Sequence, residues 1–91
     1  MAHGPYYDQV DYWVKHYGTG ESDDLRSVHS FMDCETDEKV RSLRGQIYSI
    51  SCGRYHQQSL DNQIGPARRL RHGSFEAWAK LMLQWMAGHK G

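Results

Sequence analysis

Residues 37–58 read DEKVRSLRGQIYSISCGRYHQQ, and the fold class turns on whether this stretch is helix or hairpin. Read as a strand, 46–52 fits poorly: Tyr48, Ile50 and Cys52 alternate, but Ile47 falls on the opposite face. Read as a helix, Val40, Leu43, Ile47 and Ile50 recur at helical spacing and fall within an arc of about 80° at 3.6 residues per turn. Gly45 and Gly53 oppose a helix, each by about 1 kcal/mol relative to alanine, and Ser49 to Cys52 are poor helix formers. The helical template fits better, with a break expected at Gly45 or Gly53. A short strand or hairpin around 46–56 is the alternative.

On the N-terminal side, Pro5 to Tyr17 predicts a helix, with Pro5 in its first turn and Gly18 as its stop. Tyr6, Val10, Trp13, Val14 and Tyr17 share one face, opposite Asp8, Asp11 and Lys15. After an acidic connector from Thr19, Ser22 is placed to cap a second helix. Asp23 and Asp24 then lie where carboxylates complement the positive helix end. Leu25, Val28 and Met32 give this helix its buried stripe, and Thr36 reads as the N-cap of the next. On the C-terminal side, Leu60 to Gly73 reads as the longest connector, because Asp61, Asn62, Gly65 and Pro66 supply turn chemistry. Ser74 caps a last helix running to about Ala87. The expected architecture is all-α, a compact four-helix domain with a Trp-rich C-terminal helix; α+β with a central hairpin is second. At 91 residues the chain is expected to make one domain, 1–91, frayed at about 1–4 and 88–91.

Three Trp, six Tyr and two Phe in a chain only 38% apolar predict an aromatic core. No apolar run approaches the roughly 18 residues of a membrane span, and no basic segment followed by an apolar one opens the chain. A cytoplasmic protein without membrane contact is therefore expected, with Cys34 and Cys52 as free thiols. The last helix has polar residues only at Glu76, Lys80 and Gln84, while Phe75, Trp78, Leu81, Met82, Leu83, Trp85 and Met86 spread over most of its circumference. Either the other helices surround it, or an edge carrying Trp78, Met82, Trp85 and Met86 stays uncovered as a contact surface for a partner or a second copy.

The formal net charge of zero conceals a division. Residues 1–38 hold nine acidic against two basic side chains, and residues 39–72 hold seven basic against Asp61 alone. The cluster Arg68, Arg69, Arg71, His72, with Arg41, Arg44 and Arg54 upstream, has the makings of a phosphate-binding surface, with Tyr48, Tyr55 and Gln57 beside it. A pI of about 7 and the acidic half argue against nucleic acid. The plainest alternative is that Arg68, Arg69 and Arg71 pair with Asp23, Asp24, Glu35 or Glu38 inside the fold.

His29, Cys34, Cys52 and His56 are ligand types that zinc prefers, at a spacing that matches no zinc motif. If 37–58 is one helix, Cys34 and Cys52 lie about 27 Å apart, too far to share an ion or a disulfide. No spacing singles out a nucleophile and base, and the glycines are scattered as turn residues. No cofactor is expected. The expectation is a non-enzymatic regulator or inhibitor that docks on another protein, with self-pairing as a homodimer a further option. In that reading Arg68, Arg69 and Arg71 steer the encounter and Trp78, Met82, Trp85 or Met86 anchor it. The alternative is a nucleic-acid-binding protein using Arg41, Arg44, Arg54, Arg68, Arg69 and Arg71.

Overall fold

The computed structural model describes residues 7–18 and 23–89. Six helices occupy them: α1 Asp8–His16, α2 Asp24–Cys34, α3 Asp37–Ser51, α4 Gln57–Ile64, α5 Pro66–His72 and α6 Phe75–Gly88. No strand occurs among the described residues, so the hairpin alternative around 46–56 is excluded, and the count is six helices where four were expected. Pro5, Tyr6 and the segment Thr19 to Ser22, with the cap expected at Ser22, lie outside the described residues.

The stretch 37–58 is largely helical, as its periodicity predicts, and it breaks at Gly53, one of the two glycines expected to interrupt it. Thr36 caps α3 by accepting from the Lys39 amide at 3.2 Å, and Val40, Leu43, Ile47 and Ile50 are its buried residues. The helix continues through Gly45 and closes on Gly53 at φ 83°, where the Arg54 amide returns to the Ser49 carbonyl and the Gly53 amide to that of Ile50. This 6→1 and 5→2 pair needs a left-handed residue at the first position past the cap, which glycine adopts without a side-chain clash. Gly45 is a different matter. It is exposed, and a Cβ added there meets nothing within 4 Å, so the fold itself gives no reason for a glycine in mid-helix. Gly45→Ala should therefore raise the unfolding free energy by about 1 kcal/mol in a urea titration.

The expected connector 60–73 is instead two short helices. α4 forms because Leu60 and Ile64, one turn apart, are buried, and because His56 accepts from the Ser59 amide at its start. Gly65 at φ 90° turns the chain, and Pro66, which has no amide hydrogen to leave unpaired, starts α5. Nothing in α5 is buried. Its hold on the molecule is polar, through Arg68 and Arg69.

α3 and α6 form the centre and run antiparallel. Tyr55, just past α3, packs edge-on against Phe75 at 5.5 Å, while at the other end Asp33, shortly before α3, holds His89 just past α6. Ser74 caps α6 by accepting from the Ala77 amide at 3.1 Å, as expected. Phe75, Trp78, Ala79, Met82 and Met86 of α6 enter one continuous core with Trp13 of α1, Phe31 of α2, and Leu43, Ile47 and Ile50 of α3. Leu83 and Trp85 pack half-buried against its edge. The aromatic core expected from composition is present, with Trp13 and Trp78 in contact at its middle, 6.1 Å between ring centroids.

Candidate functional site

Asp24 opens α2 and is 5% exposed. A buried carboxylate must be paired and hydrogen-bonded to remain charged, and Arg68 of α5 meets it in a fork, with Nε to Oδ2 and Nη2 to Oδ1 both at 2.9 Å. Trp78 Nε1 of α6 donates to Asp24 Oδ2 at 3.0 Å. Arg68 also donates to the carbonyls of Ile64 at 2.6 Å and Gly18 at 2.9 Å, and its guanidinium lies over the Trp13 ring, 5.3 Å from the centroid. The Arg68–Asp24 pair thus joins the end of α1, the start of α2, and α4, α5 and, through Trp78, α6. Arg69 pairs with Asp61 through Nε at 3.1 Å and Nη2 at 3.2 Å.

These contacts correct the expected docking cluster. Arg68 and Arg69 are structural, bound to carboxylates of their own chain; of the three, only Arg71 is exposed with no ion pair among the described residues. Trp78, Met82 and Met86, expected as surface anchors, are buried in the core, because α2, α3 and α5 all pack against α6 and cover its wide apolar arc. Trp85 remains half-buried, and its carbonyl, near the open end of α6, pairs with His29 Nε2 at 3.0 Å.

The metal pattern is not assembled either. His29 stacks on His89 with centroids 4.1 Å apart, His56 caps α4, and Cys34 and Cys52 are free and exposed. The two thiols flank α3, whose 15 residues span about 22 Å. Among the described residues no three His, Cys, Asp or Glu side chains gather as a metal ion would require. No described helix is long and apolar enough to cross a membrane.

Two carboxylates, Glu35 of the acidic half and Glu76 of α6, are occupied by tyrosines. Glu35 accepts from Tyr17 at 2.5 Å and Tyr12 at 3.2 Å, with Lys39 at 3.4 Å, and Glu76 accepts from Tyr55. The hydrogen bond to Glu35 pushes the Tyr17 phenol up to about 12. Burial, then the bond to Glu76, lifts Tyr55 to about 12 as well. Both carboxyls are held below their ordinary range, each chiefly by its tyrosine. A phenol whose folded value exceeds its ordinary 10.0 stabilises the fold fully below pH 10.0, and that contribution disappears as pH rises toward 12. Glu35 and Glu76, depressed from 4.5, contribute above that value and cease to as pH falls through their folded values. Alkaline denaturation should therefore coincide with a late tyrosinate absorbance step between pH 10 and 12, and Tyr17→Phe and Tyr55→Phe should each remove part of that step.

Besides Arg71, and Arg26 on α2, the exposed arginines Arg41, Arg44 and Arg54 make no ion pair among the described residues. On α3, Arg41, Arg44, Gly45 and Tyr48 share an exposed arc of about 100°, opposite Val40, Leu43, Ile47 and Ile50. Tyr48 is 61% exposed, one of two large apolar side chains so displayed among the described residues; the other is Leu70 at 71%. Tyr55, expected beside the basic surface, is instead engaged by Glu76 and Phe75. The outer face of α3 was latent in the sequence: once the helical template is chosen, the residues opposite its apolar stripe are determined. Arg68, Arg69 and Arg71 are close neighbours in the chain, which says nothing about their being unpaired.

No protein-family model, curated protein or solved structure matches this chain.

Proposed function

We propose that this protein is a non-enzymatic docking module, a small regulator or inhibitor that acts by occupying a surface of another protein, and that it docks through the outer face of α3. The observation that supports this is the contrast between two sets of arginines: Arg68 and Arg69 are bound to Asp24 and Asp61, whereas Arg41 and Arg44 stand on a regular helix beside an exposed Tyr48 with no ion pair among the described residues. Arginine and tyrosine are the residue types that most often carry interface energy, and a helix holds them in a fixed relation. A face of this kind steers an encounter by its charge and orders it by its shape.

A comparative capture from the native host tests the reading. The intact chain should recover partners that an Arg41→Ala, Arg44→Ala, Tyr48→Ala triple variant loses, while Arg71→Ala should recover them as the intact chain does. Equal recovery by the triple variant would remove the α3 face from consideration. Arg68→Ala is unsuitable here, since loss of binding would reflect loss of the fold.

The second reading is nucleic-acid binding through Arg41, Arg44, Arg54 and Arg71, which the same lack of intramolecular ion pairs favours. It makes a separate quantitative prediction: with four phosphates neutralised, log K for duplex DNA should fall against log salt with a slope of about −3 to −4. A flat salt dependence, or no binding at low salt, counts against it.

A further inference from the structure

Among the six helices only α5 has no buried residue, and its one large apolar side chain, Leu70, is exposed. Glycines in the left-handed region bound it on both sides, Gly65 at φ 90° and Gly73 at φ 92°, each with open space where a side chain would be. Its long-range attachments are polar: Arg68 on Asp24 and on the Gly18 carbonyl, and Arg69 on Asp61. Segments with few buried apolar contacts open at a lower free energy than the core. Glycines, whose φ no side chain confines, let such a segment swing as a unit.

The place that Arg68 occupies is built mostly by other elements. Asp24, at the start of α2, offers both carboxylate oxygens to the guanidinium at 2.9 Å, and Trp78 Nε1 of α6 holds that carboxylate at 3.0 Å. The Gly18 carbonyl accepts from Nη2, and the Trp13 ring lies under the group. Gly18 also leaves room for it, since a Cβ there would stand 3.3 Å from Arg68 Nη2, tighter than ordinary contact. A forked carboxylate, a carbonyl and an indole face together suit a planar guanidinium with its several fixed donors better than a compact ammonium.

We infer that Asp24, Gly18, Trp13 and Trp78 form a guanidinium-binding site that Arg68 fills in cis, and that α5 is a strap that swings on Gly65 and Gly73 to yield this site to an arginine side chain of another protein. The site is separate from the outer face of α3 and does not depend on it. Tethering gives Arg68 a high effective concentration, so the strap keeps the site closed against weak competitors. An external arginine binds in proportion to the fraction of molecules whose strap is open, which makes α5 an autoinhibitory element.

Two measurements on the full chain test this. In the parent, the Trp78 indole N–H, bonded to Asp24, should exchange with solvent about a hundred-fold faster than global unfolding allows, with a weak dependence on urea. The amides of Ile47 and Ile50 in α3 should instead exchange at the rate of global unfolding. In Arg68→Ala, the vacated site should accept a free guanidinium group. Ethylguanidinium at about 1–10 mM should raise the half-denaturing urea concentration of this variant saturably, and ethylammonium at the same ionic strength should not. If the variant is unfolded in plain buffer, ethylguanidinium should refold it, as read by circular dichroism. Adding Asp24→Asn to the variant should abolish the rescue. N-acetylarginine methylamide, which imitates an arginine within a chain, should rescue at least as well as free L-arginine; the reverse order would overturn the assignment to another protein's arginine. If ethylguanidinium acts on Arg68→Ala only as a denaturant, or no better than ethylammonium, the binding site is overturned. If the Trp78 indole and the α3 amides exchange together with one urea dependence, the strap is overturned.

Discussion

Arg68→Met should lower the unfolding free energy by about 3–5 kcal/mol, because it leaves the buried carboxylate of Asp24 without its charge partner. The total stability of a chain of 91 residues is of the order of 5–14 kcal/mol, so a large share of the fold depends on this side chain. The effect goes beyond one ion pair. Arg68 also satisfies the carbonyls of Ile64 and Gly18, and its guanidinium lies over the Trp13 ring. Asp24→Asn should cost less than Arg68→Met, since an amide oxygen can still accept from Trp78 Nε1 and the arginine, 14% exposed, retains some access to water. The double variant Asp24→Leu, Arg68→Met should be less damaging than the two single losses added together, because neither charge is then stranded. Urea titrations of the parent, the single variants Asp24→Leu and Arg68→Met and the double variant decide the matter; strict additivity would mean that the pair is not coupled, and that the charge division of the sequence is not resolved at this node.

Trp78→Ala should also be severe, by about 3–5 kcal/mol, from the cavity left by a fully buried indole. Trp85→Ala should cost about 1–2 kcal/mol, as a half-buried ring at the core edge forfeits only part of its transfer free energy. Trp78→Phe separates the components: it keeps much of the packing and removes the Nε1 hydrogen bond to Asp24, and should fall between the two. The pair matters because both tryptophans belong to the same helix and had equal claims to a contact surface from sequence. Equal losses for Trp78→Ala and Trp85→Ala would show that the arc of α6 is not covered as described.

The charge division resolves only in part by folding. Asp24 joins the acidic half to the basic half through Arg68, and Glu35 is held by Tyr12, Tyr17 and Lys39. Arg41, Arg44, Arg54 and Arg71 remain outward. Such a surface is where electrostatic steering acts, and the functional proposal rests on it.

Much of the backbone was readable without coordinates. The 3-4-3 spacing of Val40, Leu43, Ile47 and Ile50 predicted α3, and Thr36 and Ser74 were recognisable caps, because periodicity and capping act within one or two turns. α4 and α5 were not readable. Residues 57–72 have few apolar positions and a Gly65–Pro66 break that also suits a loop; they become helical because Leu60 and Ile64 find a core to enter and Arg68 finds Asp24. The candidate site divides the same way. Sequence located every arginine and the helix that carries Arg41, Arg44 and Tyr48, whereas only tertiary structure showed which of them are unpaired. Local rules connect residues a few positions apart, but the partner of Arg68 is 44 positions away, and what brings it there is the packing of five helices around one aromatic core.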